Sequence, residues 1–595
     1  MKELDTEEDP PQAARPHLPD HEGTQGGGHA KNIIPIPPQP GPSVQETSFA
    51  PDASSELVVL AHEPIPDQEH QPNYGTTATN NMPGPASTQN ANKPSQARSI
   101  PPDLLRGLLM ILMALDHNVM TLRSWPHGTA IDGETDSGVP SKEWNTTLAY
   151  TIRTLTHLCA PGFMFLLGMG IVYFGRSRSN LGWKGSRMIR HFAVRGIVLT
   201  ALSSLMGVVL SGGRIWLLNI VLVALGVDYF LVGTGWVFMN WTEAVIARMV
   251  LGIVKSLDGK MGTKKIADRE EEPLLPPATV ENGQAYEEGS LPEGVAPDRS
   301  IILAADISWH LHNFVLLTLA TITILWNIWL SPTGGGCFDK DHDESAPGTN
   351  DWSSHGSGGF QAPESIIGFR FWFYPVSAGR MMSGFPPLAW ISFAILGLLY
   401  GRIILARSWS ARAITAGNIL AAVVFTLIFV ATRLFHAGNL SEGCLRMPEH
   451  GHGGNQYLAS PASFFYLVKY PPDVAFWAYT MAVNFLFLAL FSIIPADVAA
   501  RYGKILVVYG TSALFFYMVH IPLLGLISET VFIPWLGHDM NFDDVMSPGK
   551  KAVGVDNLWA FFANWLIVLV VLYPACWWYG GFKKTRNVDS IWRFF

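Results

Sequence analysis

"LLRGLLMILMALDHNVM" (Leu104–Met120) reads as a membrane helix with an acid and a histidine set into its far end. A carboxylate in hydrocarbon is costly unless paired, so Asp116 and His117 demand partners at the same depth. The composition supports a membrane reading. Of 595 residues 48% are hydrophobic, with 20 Trp and 33 Phe, and the mean hydropathy is +0.20. The apolar residues come in blocks of about 20, the length that spans a bilayer. The net charge of −8 is spread over tails and loops without a continuous basic track, which argues against a nucleic-acid partner. Four cysteines are too few for a disulfide scaffold.

Residues 1–99 differ in character. Stretches such as "IIPIPPQPGPS" (Ile33–Ser43) cannot bury a core, so we expect a disordered cytosolic tail. The tail lacks the basic start and apolar run of a cleaved signal peptide, which leaves the first helix as the insertion signal. A transmembrane domain is expected over residues 100–582, interrupted by a disordered cytosolic loop at 255–300 and followed by a short cytosolic C-terminus at 583–595.

The fold class expected is all-α integral membrane, with ten or eleven transmembrane helices. Hydrophobic runs place spans near 104–122, 153–175, 190–210, 215–233, 309–330, 387–405, 413–433, 474–494, 504–526 and 557–579. Basic clusters follow every even-numbered span, among them "RSRSNLGWKGSRMIR" (Arg176–Arg190) and "FKKTR" (Phe582–Arg586). By the positive-inside rule both termini are then cytosolic, and the loop 331–386 is external. "GWVFMNWTEAVIARMVLGIV" (Gly235–Val254) carries Asn240, Glu243 and Arg248, and reads as an interfacial helix or an extension of the fourth span rather than an eleventh.

Sidedness gives the smaller motifs their meaning. Glu270 with Leu274–Leu275 fits an acidic dileucine sorting pattern that is read from the cytosol, although such short patterns also arise by chance. Cys337 and Cys444 fall in the two large outer loops and could pair there, whereas Cys159 and Cys576 lie in helices. "NTT" makes Asn145 a glycosylation candidate on the outer side, and Asn240 in "NWT" should be silent. His450 and His452, set among glycines, read as a flexible loop rather than a metal site, so no metal is expected.

Several helices bring ionisable groups to the outer level. Beside Asp116 and His117 come Arg153 and His157, four apart and so on one helix face. Tyr517 and His520 arrive on the ninth span, Arg433 and His436 at the end of the seventh, and Lys469 just before the eighth. Separately, each cation also fits an interface anchor, and Arg106 fits a snorkelling role. Together they point to one polar cavity. A histidine poised by an acid suits general-base work. Neighbours on a helix point about 100° apart, so Asp116 could instead orient another histidine such as His157.

The order of motifs "DLLRGLLMILMALDH", "THLCAPGFMFLLG", "HN" (His312–Asn313), "LAWISFAILGLLYGR", "KYPPD" and "LFFYMVHIPL" resembles the heparan-alpha-glucosaminide N-acetyltransferase catalytic-domain family over roughly residues 100–580. The resemblance implies a membrane acyltransferase fold and acetyl-CoA or another acyl-CoA as co-substrate. It further implies a glycan or other small acceptor at the lumenal or extracytosolic face. Arg106, Asp116, His117, His157, His312, Asn313, Lys469, Tyr517 and His520 match its motif positions. In the heparan member the active histidine lies in the loop after the first helix, where His127 in "SWPHG" stands here.

The expectation is therefore an integral membrane acyltransferase, in an endomembrane (vacuole- or lysosome-like, or ER) or the plasma membrane, with a homodimer left open. His117 supported by Asp116 is the expected base, with His157 or His127 as second choices. Arg106, Arg153, Lys469, Tyr517 and His520 are expected to support them. His312 and Asn313, near the cytosolic end of the fifth span, are expected to contact the donor. The rivals are a proton-coupled transporter, because intramembrane Asp, His and Arg also relay protons, and a non-catalytic scaffold.

Overall fold

The computed structural model describes residues 100–131, 134–136, 138–262, 299–331, 333–337, 367–450, 454–543, 550–586, 590 and 592. The tail before residue 100, the dileucine pattern, His452 and most of loop 255–300 lie outside them. Ten helices among the described residues are long and apolar enough to cross a membrane, as expected.

The chain opens with α1 (Ile100–Leu122), and α2 (Thr147–Thr156) and α3 (Cys159–Asn180) together make the second span. The break between them has a local cause. Pro161 has no N–H to give the carbonyl of His157, and the helix is interrupted at His157 and Leu158 before it resumes at Cys159. Then come α4 (Gly185–Leu210), α5 (Leu222–Gly262), α6 (Arg299–Trp329), the short α7 (Ile367–Phe373), α8 (Pro387–Ala406) and α9 (Ala411–Phe435). The C-terminal part holds α10 (Pro461–Phe465), α11 (Val474–Ile493), α12 (Ala496–Tyr502), α13 (Lys504–Thr511), α14 (Ala513–Ile527), α15 (Ile533–Leu536) and α16 (Leu558–Lys584).

Of the two readings of segment 235–254, the extension of the fourth span holds: it gives a single helix of 41 residues in α5. One span differs from the sequence reading. The ninth span runs over Ala513–Leu536 rather than 504–526. Its early part is the separate helix α13, and the chain bends at Ser512, whose hydroxyl donates to the Cys576 carbonyl at 3.1 Å. Small residues explain how α13 lies against α1. A Cβ on Gly107 would stand 2.0 Å from the Leu506 carbonyl oxygen, and one on Gly510 would stand 2.1 Å from that of Asp103. Bilayer helices approach this closely only where a side chain is missing. The crossing of α3 and α8 uses Gly168 and Gly397 in the same way.

The basic exits share one end of the bundle, where Arg176 donates to the carbonyl of Leu405 at the end of α8. We call this the basic end. The opposite, loop end is closed by one bridge within the loop after α1, Ala130 with Trp144, and by three between distant loops: Thr135 with Tyr470, Ser141 with Leu445, and Gly336 with Glu442. Strands β1 (Leu217–Asn219), β2 (Val376–Ala378) and β3 (Met381–Ser383) form a small sheet in the order β1-β3-β2, parallel between β1 and β3 and antiparallel between β3 and β2. A further hairpin joins β4 (His538–Asp543) to β5 (Lys551–Gly554). Cys337 and Cys444 are disulfide-bonded, as expected, and Cys159 and Cys576 are free and buried.

Candidate functional site

The outer third of α1 turns its two polar residues in different directions. Asp116 faces α2. Arg153 Nη1 donates to both its carboxylate oxygens, at 3.0 and 3.2 Å, and Thr156 Oγ1 donates at 2.7 Å. The spacing of Arg153 and Thr156 on α2 puts both on the side toward α1. A third group comes from the loop after α1, where His127 Nε2 lies 3.1 Å from Asp116 Oδ1. Asp116 thus holds His127 and not its neighbour His117, correcting the sequence reading. The physical reason is the angle of about 100° between successive helical residues.

His117 faces α14. Its Nδ1 is 2.7 Å from His520 Nε2. His520 Nδ1 lies 2.8 Å from the Tyr517 carbonyl and 3.1 Å from that of Phe516, so it must carry the hydrogen. In the neutral ring His520 Nε2 is then an acceptor, and His117 Nδ1 donates to it. Tyr517 packs edge-on to His117, with ring centroids 6.5 Å apart.

Sequence reasoning missed one central residue. Glu134, in the loop between α1 and α2, is buried and accepts from Thr129 N at 2.8 Å, Arg153 Nε at 2.9 Å and His157 Nε2 at 3.0 Å. His157 is therefore oriented by Glu134, not by Asp116. Burial works against the Glu134 carboxylate, but Arg153 and His157 outweigh it and hold its pKa well below the usual carboxylate range. No helical or strand period marks Glu134 in "AIDGETDSG", and only loop closure buries it. The backbone N–H groups of Lys469 and Tyr470 both donate to its carbonyl.

Lys469 is buried, with Nζ 5.2 Å from the Tyr470 ring centroid and 5.7 Å from that of Phe385. Its charge favours the ionised form of Glu134 and disfavours protonation of His127. Arg433 stands apart from this network: it donates to Asn439 Oδ1 at 2.8 Å and to the Tyr466 carbonyl at 2.6 Å, fastening the loop after α9. Arg106 pairs with Asp103 at 2.9 Å near the start of α1, far along that helix from Asp116.

His127 is the open member of the cluster, with 24% of its side chain exposed against 3% for Arg153 and 0% for His157. With Asp116, Trp125 and Arg153 it lines a crevice too tight to hold a water molecule. Its Nε2 also lies 3.0 Å from Arg153 Nη1. The nitrogen therefore has two states. Bare, it accepts from the guanidinium; protonated, it donates to Asp116. Burial first, and then the Arg153 charge, pull its pKa below the ordinary 6.5 despite Asp116, so the neutral ring prevails at pH 7. Such a group can take up a proton and have the product stabilised by a carboxylate already in place.

Three further residues singled out in the sequence have defined places. Asn145 is buried, and its amide donates to the carbonyls of Pro126 at 2.7 Å and Gly128 at 3.0 Å. At the basic end, His312 and Asn313 are engaged between helices. His312 Nδ1 donates to the Ser308 carbonyl at 2.7 Å and Nε2 is 3.0 Å from Thr242 Oγ1. Asn313 Oδ1 accepts from Arg402 Nε at 3.0 Å, and Arg402 Nη2 pairs with Glu243 at 2.9 Å. Arg402, at the end of "LAWISFAILGLLYGR", had no marked role in the sequence. Glu243 had been noted only as a charge within segment 235–254.

Fold and composition define a helical protein of the multi-pass membrane class. No protein-family model matches the chain, and no curated protein matches it either.

Proposed function

We propose that the chain is an integral membrane acyltransferase that passes an acetyl or other acyl group from acyl-CoA to the hydroxyl or amine of a glycan or other small acceptor. The observation that carries this reading is the partly exposed His127 held against the buried Asp116 carboxylate at the loop end. His127 replaces His117 as the base. It removes the acceptor proton as the acceptor attacks the acyl carbonyl, Asp116 stabilises the imidazolium, and the proton leaves with the CoA thiolate as the thiol. One acyl–sulfur bond breaks and one acyl–oxygen or acyl–nitrogen bond forms. Arg153 and Glu134 fix the frame, and Lys469 supplies positive charge where the carbonyl oxygen gains negative charge.

In this reading the basic end faces the cytosol, where acyl-CoA is available, and the loop end faces a lumen or the exterior. The disulfide at the loop end supports that orientation, because such bonds persist in oxidising compartments. The test is to incubate membranes containing the full chain with labelled acetyl-CoA and an acceptor panel of amino sugars and hydroxylated glycans. Labelled product is expected from wild type and lost in His127→Ala. Full activity in His127→Ala, with loss in His117→Ala, would restore the helix histidine as the base.

A further inference from the structure

The turn that carries His127 is held from outside itself. The Gly128 N–H donates to the Pro126 carbonyl at 3.0 Å, which makes His127 the middle residue of a three-residue turn. Such a turn has a single internal hydrogen bond and no partner strand. The side chain of Asn145 supplies the rest, since its one amide nitrogen reaches the carbonyls on both sides of His127. The Asn145 backbone N–H donates to the Thr129 carbonyl at 3.0 Å, and its side-chain oxygen accepts from Thr146 N at 2.9 Å. Thr146 in turn caps α2, accepting from Ala149 N at 3.4 Å. That helix carries Arg153 and Thr156, which hold Asp116. A single buried amide therefore joins the segment bearing His127 to the helix that sets the position of its carboxylate partner.

We propose that Asn145 is the positioning residue of the His127 turn, and that its sequon stays unglycosylated because the amide is committed to Pro126 and Gly128. The inference deepens the acyltransferase reading and rests on His127 being the reactive group. Two amide hydrogens meeting two carbonyls is a requirement that aspartate cannot meet. In Asn145→Asp the acceptor for Thr146 N–H is kept, both donors are lost, and oxygen is turned toward oxygen. Thr146→Ala loosens the α2 cap without touching the turn, and so reports what mere local destabilisation does.

The experiment uses the full chain purified in detergent and treated with diethyl pyrocarbonate, with carbethoxylation of each histidine followed by peptide mass. His436, exposed on the surface, serves as the internal reference. In Asn145→Asp the His127 rate is expected to rise several-fold relative to His436, and in Thr146→Ala to stay at the wild-type value. In acetyl transfer, Asn145→Asp should lower kcat by about 10²-fold, the cost of misplacing a reacting group by an ångström or so, with KM for acetyl-CoA unchanged. The acidic limb of its pH profile should move up toward the ordinary histidine value as His127 leaves Arg153. An unchanged His127 rate and pH limb in Asn145→Asp, or a glycan on the Asn145 peptide of wild type, overturns the proposal. If wild type transfers no acetyl group, the functional reading falls, and the carbethoxylation comparison still decides the role of Asn145.

Discussion

The bundle has a polar cluster at each end, and the two are built on opposite plans. At the basic end Arg402 meets one carboxylate, Glu243, and one amide, Asn313, while His312 is spent between Thr242 and the Ser308 carbonyl. All of these residues come from three long helices, α5, α6 and α8, and their bonds join helix to helix. At the loop end one guanidinium, Arg153, serves two carboxylates, and a histidine is added to each: His127 on Asp116 and His157 on Glu134. Two of those five residues, His127 and Glu134, arrive on the loop between α1 and α2. The lesson is that polar groups in a membrane bundle do different work when a titratable ring is left partly open beside a carboxylate. The basic end fastens helices, and the loop end keeps one titratable ring, His127, partly exposed beside a carboxylate.

The largest expected effect tests that contrast through stability. Arg153→Ala strands two buried carboxylates and should cost about 3–5 kcal/mol, as for other broken buried ion pairs. Arg402→Ala leaves Glu243 with a quarter of its side chain exposed, so the loss should be nearer 1–3 kcal/mol. Thermal unfolding of both variants in detergent gives the comparison, and equal losses would erase the distinction between the two ends. Next comes turnover. His127→Ala should reduce acetyl transfer by about 10²–10⁴-fold, the usual worth of a general base, and His312→Ala should leave it nearly intact. A reversal of that order would make the basic end the reactive one.

The disulfide sharpens the comparison at a more modest level. It closes a segment of 107 residues, and replacing Cys337 and Cys444 by Ser should cost about 2–4 kcal/mol. The loss should appear as faster hydrogen exchange in the loop-end segments, with α5, α6 and α8 protected as before. The smallest effect concerns pH. The pKa of His127 is depressed on folding, so the unfolded chain binds more protons in the window just below 6.5. Its contribution is fully present above that value and fades as the pH falls through the folded pKa. Stability should therefore rise with pH across this window in wild type and do so less in His127→Gln. The acidic limb of turnover should lie below 6.5 as well.

Much of the scaffold was legible in the sequence, because a span announces itself by length and hydropathy alone. The ten helices and the Cys337–Cys444 pairing came from that reading, and Asp116, Arg153, His157 and His127 were all singled out. Their pairing was not legible. Sequence adjacency suggested Asp116 with His117, while helix geometry sends the two side chains to different neighbours. Glu134 stayed hidden because burial of a loop residue depends on bridges such as Thr135 with Tyr470, which join segments far apart in the chain. The place of Asn145 was hidden for the same reason: a three-residue pattern does not say whether the amide faces water.

If the proposed acyl transfer takes place at the loop end, its charge balance bears on which acceptors can enter. Asp116 and Glu134 supply two negative charges, and Arg153 and Lys469 supply two positive ones, so with neutral histidines these four groups sum to zero. An entering ion has no uncompensated opposite charge among them to meet, and must give up hydration in a place of low polarisability. A sugar hydroxyl or an amine that has shed its proton enters without that penalty, whereas an ammonium brings a surplus charge. In the proposed acyl transfer, charge parity at the loop end would act as a filter on protonation state, favouring the one form of an amine that can attack an acyl carbon.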